Sequence, residues 1–379
     1  NMNHGINGTD FYFSLADGNV TRFMEDENVN VEMEHRYSGV DGRTILERLA
    51  SVKYCAVDED SRAFVPYGYE YEKSMSGYEL YTNQNALSLG YTYDSLMKES
   101  DYDKLTDVQK QQAILQCAVV NDDKYDELSE DYEACEPSFD DSELKLTYKA
   151  GDGVSITDGA ITVEKDDARI TCNFEGKSDS ETYLEITGLQ YITEQDSRTT
   201  VSFSRDNSTK DMTLYSYRHP FNNGREDYII NLGYYKDEGS QEITITFPDK
   251  GVFEFSSIKA VSQSMGNVDE QTDKLSESSL ENINIGINEI SGTISADTNK
   301  ILCVSIPYSD GWTVSVDGKK SETTKVNDLY IGIPVEQGTH EIVLSYTTPY
   351  RNIGICISLA GLLLLVVSVV VYRRKALKS

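Results

Sequence analysis

With 379 residues the chain has room for two or three domains, and its 64 acidic against 34 basic side chains give a formal net charge of −30. A surface this acidic repels polyphosphate and anionic headgroups, which excludes nucleic acid as a partner and fits an exposed, solvated body. Tyrosine (26) far outnumbers tryptophan (1), a bias that suits half-buried strand faces better than a sugar-stacking platform.

Residues 1–137 read as a mixed α+β domain. Asp41 is placed to cap a short helix reaching Leu49, with Ile45, Leu46 and Leu49 on one side. Strands follow at 52–57, stopped by the acidic run 58–60, and at 78–81, which leads through 83–85 into the stretch 87–94. Thr106 and Gln109 form a capping box, opening a helix expected to run to Val120 with Val108, Leu115, Ala118 and Val119 on its packing face.

From residue 138 to 261 the apolar period is two. Strands are expected at 144–148, 154–156, 161–163, 170–174, 183–186, 201–203, 214–217, 228–232, 243–247 and 252–255. Short alternating strands broken by Gly and Asp turns predict a sandwich or jelly roll. Gly151-Asp152-Gly153 and Asp158-Gly159 are read as turns between strands rather than calcium loops. The polar run 262–282 reads as a linker containing a short helix.

A second, smaller β-sandwich is expected at 283–350. Ile283, Ile285 and Ile287 alternate, as do Trp312, Val314 and Val316 ahead of Asp317-Gly318, a pair that suits a tight hairpin. Strands at 301–306, 329–333 and 340–346 complete the unit. Residues 351–372 then form a transmembrane helix, since 353–371 carry no charge and are long enough for a hydrocarbon core of about 30 Å. Arg373, Arg374, Lys375 and Lys378 in the tail 373–379 mark its cytoplasmic side, which puts the bulk of the chain outside. Residue 1 is Asn and no basic-then-apolar leader follows, so the expectation is a removed signal peptide or membrane helices further upstream.

The six cysteines (Cys55, Cys117, Cys135, Cys172, Cys303, Cys356) show no C-x-x-C spacing, and His4, His35, His219 and His340 complete no ligand set. Free thiols are expected, a Cys117–Cys135 bridge being the one alternative. No phosphate loop, nucleophile elbow or selectable carboxylate pair is present. Asn7, Asn19 and Asn207 match a glycosylation pattern that matters only in a eukaryotic secretory route.

Three stretches taken together carry a family resemblance. They are Leu49 to Tyr54; Val65-Pro66-Tyr67-Gly68-Tyr69-Glu70 with Leu89-Gly90-Tyr91-Thr92-Tyr93-Asp94-Ser95; and Pro307 to Gly318 followed by Gly338, His340 and Tyr346. Their order and distance from a last membrane helix resemble the YfhO-type bacterial integral membrane proteins over nearly the whole chain. Ser88 departs from the pattern, which has proline after Leu87. The resemblance implies a polytopic GT-C-type enzyme of the bacterial cell membrane. Such an enzyme moves a sugar from a polyprenyl-phosphate carrier onto a surface glycopolymer, lipoteichoic acid being the suggested acceptor. Its catalytic acid would lie on an early loop between membrane helices, so no catalytic residue and no cofactor is carried onto this sequence.

Tyr308, Asp310 and Trp312 admit two readings. They could form a glycan-contacting ledge near the membrane, or Trp312, in period with Val314 and Val316, could be a core anchor. The second is preferred for Trp312. The alternative function is a membrane-anchored carbohydrate-binding or adhesion protein without catalysis.

Overall fold

The computed structural model describes residues 8–12, 17–30 and 36–376; His4, Asn7, His35 and Lys378 lie outside them. The helices are α1 (Gly18–Asp26), α2 (Thr44–Leu49), α3 (Glu99–Tyr102), α4 (Asp107–Gln116), α5 (Asp122–Leu128), α6 (Val268–Ser276) and α7 (Arg351–Ala376). Apart from a 3-10 helix at Glu59–Phe64, everything else regular among the described residues is strand, almost all antiparallel, so the chain is α+β with sandwich units and one C-terminal apolar helix.

The first segment departs from expectation at two helix ends. Asp41 does not cap α2: it has φ +61°, and its carboxylate accepts the Asn30 amide at 2.6 Å instead. Arg43 takes the N-cap position, and all six residues of α2 are buried rather than one face. The capping box of α4 forms, Thr106 accepting from the Gln109 amide at 3.3 Å. That helix stops at Gln116, however. Ala118–Val120 leave as a buried strand parallel to Ser95–Lys98. Two adjacent β-branched valines favour the pleated state once a partner strand is available.

The middle unit is a sandwich of two larger sheets with a third beside them, Val154–Thr157, Ala160–Val163, Gly251–Glu254 and Gln190–Ile192, whose Ile161, Val163, Tyr191 and Phe253 join the same core. One larger sheet orders Thr147–Ala150, Ala168–Gly176, Gly239–Phe247, Arg198–Arg205 and Ser208–Tyr215; the other orders Asp141–Leu144, Ser257–Ser264, Ser180–Thr187 and Tyr228–Tyr235. Alternate residues meet in one core, including Ile170, Phe174, Phe203 and Ile245 from the first sheet and Leu184, Ile230 and Tyr235 from the second. The stretch 144–148, expected as a single strand, divides between the two sheets, because the chain bends at Lys145 and Leu146.

In the last unit, Glu281–Ile285, Glu289–Ala296, Gly338–Tyr346, Trp312–Val316 and Lys319–Ser321 face a sheet of Thr324–Val326, Tyr330–Val335, Lys300–Pro307 and Gly90–Tyr93. The strand Gly90–Tyr93 comes from the first segment and pairs with Ile301–Val304. One face of this sheet buries Leu302, Val304, Ile331 and Ile333 inside the unit. Its other face buries Ile301, Cys303 and Tyr330 against Tyr91, Ile45 and Ile114. The first and last segments therefore share a sheet and are packed on both sides of it. Asp317 and Gly318 (φ +51° and +74°) close the Trp312–Ser321 hairpin as a two-residue turn, as expected.

The run 262–282 is packed as well as polar. In α6, Val268, Thr272 and Leu275 are buried. The fully buried Arg48 donates to Thr272 Oγ1 at 2.9 Å, pairs with Asp269 at 2.7 Å and lies over the Tyr67 ring. Gly68, in the same Pro66–Tyr69 stretch, has φ +80°, and a Cβ there would come 2.8 Å from the Arg48 guanidinium. Ser88, the departure from the family pattern, donates to the Leu280 carbonyl at 2.9 Å, while its own carbonyl accepts from Ser51 at 2.9 Å.

A closed ring of buried polar groups joins the first segment to the sandwich. Arg43 Nε donates to Gln111 at 2.8 Å, and its Nη1 donates to the Glu27 carbonyl at 2.5 Å. Gln111 Nε2 donates to Tyr183 Oη (2.9 Å), Tyr183 to Glu181 (2.6 Å), and Thr44 Oγ1 to Glu181 (2.5 Å). Thr44 is the chain neighbour of Arg43, which closes the ring.

Glu47, beside this ring, has its carboxyl pushed up to about 7 by burial, against a Tyr69 hydrogen bond that lowers it. A raised carboxylate pKa means the folded state holds the proton more tightly than the unfolded chain does. Stability from this group is therefore present at low pH and lost between about pH 4.5 and 7, on the order of 3 kcal/mol in all. Denaturant unfolding should accordingly give a lower free energy at pH 8 than at pH 5, with a markedly smaller difference in Glu47→Gln. An unchanged difference in that variant would remove Glu47 as the cause.

Candidate functional site

The strand Gly338–Tyr346 fixes which end of the last unit meets the membrane. Only residues 347–350 separate it from α7. Trp312 pairs with Tyr346, the Trp312 amide donates to Ser309 O (3.0 Å), and Thr347 N donates to Gly311 O (2.9 Å). Gly311 has to be small: a Cβ there would lie 2.8 Å from the Thr347 carbonyl and closer still to the Tyr346 ring. The Tyr308–Gly311 turn is held from its other side by Asn19 of α1, whose Nδ2 donates to Tyr308 O at 2.8 Å.

A cleft of about 790 Å³ opens at this end. Its walls are α1 with the residue before it (Asp17, Asn19, Arg22), α5 with the residue before it (Asn121, Asp123, Lys124, Glu127), the turn Tyr308–Asp310, residues 323–325 and Pro349. Lys124 bridges Glu127 at 2.7 Å and Glu322 at 3.3 Å, and the Glu127 hydrogen bond holds its ammonium above the usual lysine range. Lys325 pairs with Asp328 at 3.0 Å. Asp17 accepts the Asn19 amide at 2.9 Å. Cations, carboxylates, amides and hydroxyls are interleaved along these walls. Such a lining can donate and accept hydrogen bonds along a hydroxyl-rich ligand, and the volume falls in the range of small-molecule sites.

Of the three residues singled out from sequence, Tyr308 and Asp310 line this cleft and Trp312 does not. The Trp312 ring sits 5.1 Å from that of Tyr346 and packs against the core of the last unit. Arg22, Lys124 and Lys325 were not foreseen. They come from three distant segments, and none lies in a motif.

Among the described residues, no group of three or more His, Cys, Asp or Glu side chains is arranged to hold a metal ion. The six cysteines are free, and the buried Cys117 thiol donates to the Ala113 carbonyl at 3.4 Å. The apolar helix runs 24 residues from Arg351 to Arg374, its most apolar 18 residues have mean hydropathy 2.8, and none of that stretch is covered by the rest of the chain. At about 1.5 Å per residue it spans a bilayer core.

A β-rich head carried directly on an uncovered apolar helix defines a membrane-attached protein. Residues 1–358 match the family described as "Bacterial membrane protein YfhO", and the chain belongs to that family. It is 24% identical over 384 residues to the "Uncharacterized protein YfhO" of Bacillus subtilis (strain 168), covering 96% of this chain and 41% of the relative. The chain thus spans about two fifths of that relative's length. Among solved structures it is similar to the arabinofuranosyltransferase AftD from mycobacteria. One variant matches at 15% identity over 42% of this chain and 13% of that one, with a TM-score of 0.17. Another AftD structure matches at 10% identity over 60% of this chain and 26% of that one, TM-score 0.18. Hazelnut vicilin matches with a TM-score of 0.13 at 10% identity, over 54% of this chain and 86% of that one. Likenesses this low carry no argument about fold or activity.

Proposed function

We propose that the chain is the extracytoplasmic head and final span of a lipid-carrier-dependent glycosyltransferase. On this reading the membrane-end cleft guides an acceptor glycan toward a reaction centre supplied by membrane helices outside this chain. The donor is a polyprenyl-phosphate sugar, and the acceptor is a surface glycopolymer, lipoteichoic acid being the first to test. Family membership supports the reading, as does a relative more than twice as long. The observation that carries it is the place of the cleft. A polyprenyl-phosphate sugar stands at headgroup depth, so an acceptor has to be presented close to the bilayer, and the polar cleft that includes Tyr308 and Asp310 is bordered by Pro349, next to α7.

In cells expressing the complete protein, Tyr308→Ala combined with Asp310→Asn should lower surface-polymer glycosylation roughly tenfold or more, as expected for losing a ring contact and a hydrogen bond. Because the Tyr308 ring also packs against the core of the last unit, glycosylation is compared per amount of folded protein, and Asp310→Asn alone should lower it in the same direction. Trp312→Phe should leave glycosylation nearly intact. Normal glycosylation by the double variant would defeat the cleft's role.

A second hollow, of about 820 Å³ on the sandwich, is lined by Tyr148, Ile156, Asp158 and Phe255 and favours the alternative of a carbohydrate-binding or adhesion protein without catalysis. Unaltered surface glycosylation in cells lacking the whole gene and any redundant relative would decide for that alternative.

A further inference from the structure

We infer that the hairpin tip Ile285-Gly286-Ile287 inserts into the headgroup region of the bilayer, as a second, peripheral membrane contact beside α7. The sequence alternation Ile283, Ile285, Ile287 predicts three inward side chains, but only Ile283 packs against the core. Ile285 is 59% exposed and Ile287 99%, the most exposed large hydrophobic among the described residues. The chain turns between them, and Gly286 N donates to Glu289 O at 2.7 Å. A single exposed isoleucine on a soluble surface is ordinary. Two at one turn tip, on a chain this acidic, need a place to go.

Their position supplies it. Glu289 pairs with Ser345, and Tyr346 N donates to Asn288 O at 2.8 Å, so the tip sits at the last rung of the strand that leads into α7. Five chain steps from Tyr346 to Arg351 can span at most about 18 Å. The same end carries Tyr350, 80% exposed, and the Trp312–Tyr346 ring pair. Aromatic side chains with an aliphatic tip are what membrane–water interfaces select. The far end of the same sheet, at Thr298, is exposed and polar and lies roughly 27 Å away along the strand Glu289–Ala296. This inference rests on the family's membrane attachment and the geometry of the tip, and it stands whether or not the protein transfers sugar.

The test uses the complete protein in phosphatidylglycerol–phosphatidylethanolamine nanodiscs, with Cys55, Cys135 and Cys356 replaced by alanine. An environment-sensitive fluorophore is placed through Ile287→Cys, or through Thr298→Cys as the distant control. At position 287 the label should be quenched by headgroup-proximal spin-labelled lipid at least threefold more than at 298, and be correspondingly shielded from iodide. Equal iodide quenching at both positions would overturn the inference. A blue-shifted label at 287 that spin-labelled lipid does not quench would also overturn it, by showing that the tip is covered by protein.

Discussion

Arg43→Ala is expected to destabilise the protein by about 3–5 kcal/mol, a large share of the stability of an ordinary domain. The Arg43 side chain is fully buried, and its guanidinium is the partner of a Glu27 that is itself 1% exposed. Burial pushes the Glu27 carboxyl upward, and the Arg43 charge is the largest influence opposing that shift. Removing the arginine leaves Glu27 with the Tyr102 hydroxyl as its remaining side-chain hydrogen bond, and it leaves the Gln111 carbonyl without its donor. Uncompensated buried groups of this kind are costly. Thermal or urea unfolding should show the loss in Arg43→Ala. Much of it should return when Arg43→Met is combined with Glu27→Leu, because both charges then leave together and the volume is kept. Wild-type stability in Arg43→Ala would mean that the ring does not hold the first segment to the sandwich.

What the sequence showed, and what it hid, follows the range of the interactions. Sandwich strands are legible because one face of each meets a core, so the period of two is printed in the chain, as in Arg198–Arg205. The Thr106–Gln109 capping box is legible because it spans four residues. The end of α4 is not, because Ala118–Val120 become a strand only when Ser95–Lys98 lies alongside. Nor is the partner of Gly90–Tyr93, which lies more than two hundred residues later. The polar run 262–282 reads as a linker because its apolar anchors are few and widely spaced (Met265, Val268 and Leu275 among them), and the contacts of α6 to Arg48 and Tyr67 are polar and leave no apolar pattern. Ile285 and Ile287 kept the strand rhythm while the backbone turned between them. At the cleft, Tyr308 and Asp310 lie on a recognisable stretch, whereas Arg22, Lys124 and Lys325 are brought beside them only by the fold.

The second large effect is all-or-none and concerns which side of the membrane the head occupies. On the proposed reading, transfer from a polyprenyl-phosphate sugar to a surface polymer requires the head outside, and the charge rule applied to Arg373, Arg374 and Lys375 after the apolar run gives the matching expectation of a cytoplasmic tail. The most direct measurement is labelling of intact cells by an impermeant thiol reagent. The complete protein should carry Thr298→Cys or Ala376→Cys in a background without Cys55 and Cys135. We predict full labelling at Thr298→Cys and none at Ala376→Cys until the cells are permeabilised. Labelling at Ala376→Cys with protection at Thr298→Cys would put the head in the cytoplasm and contradict the transferase reading at its base.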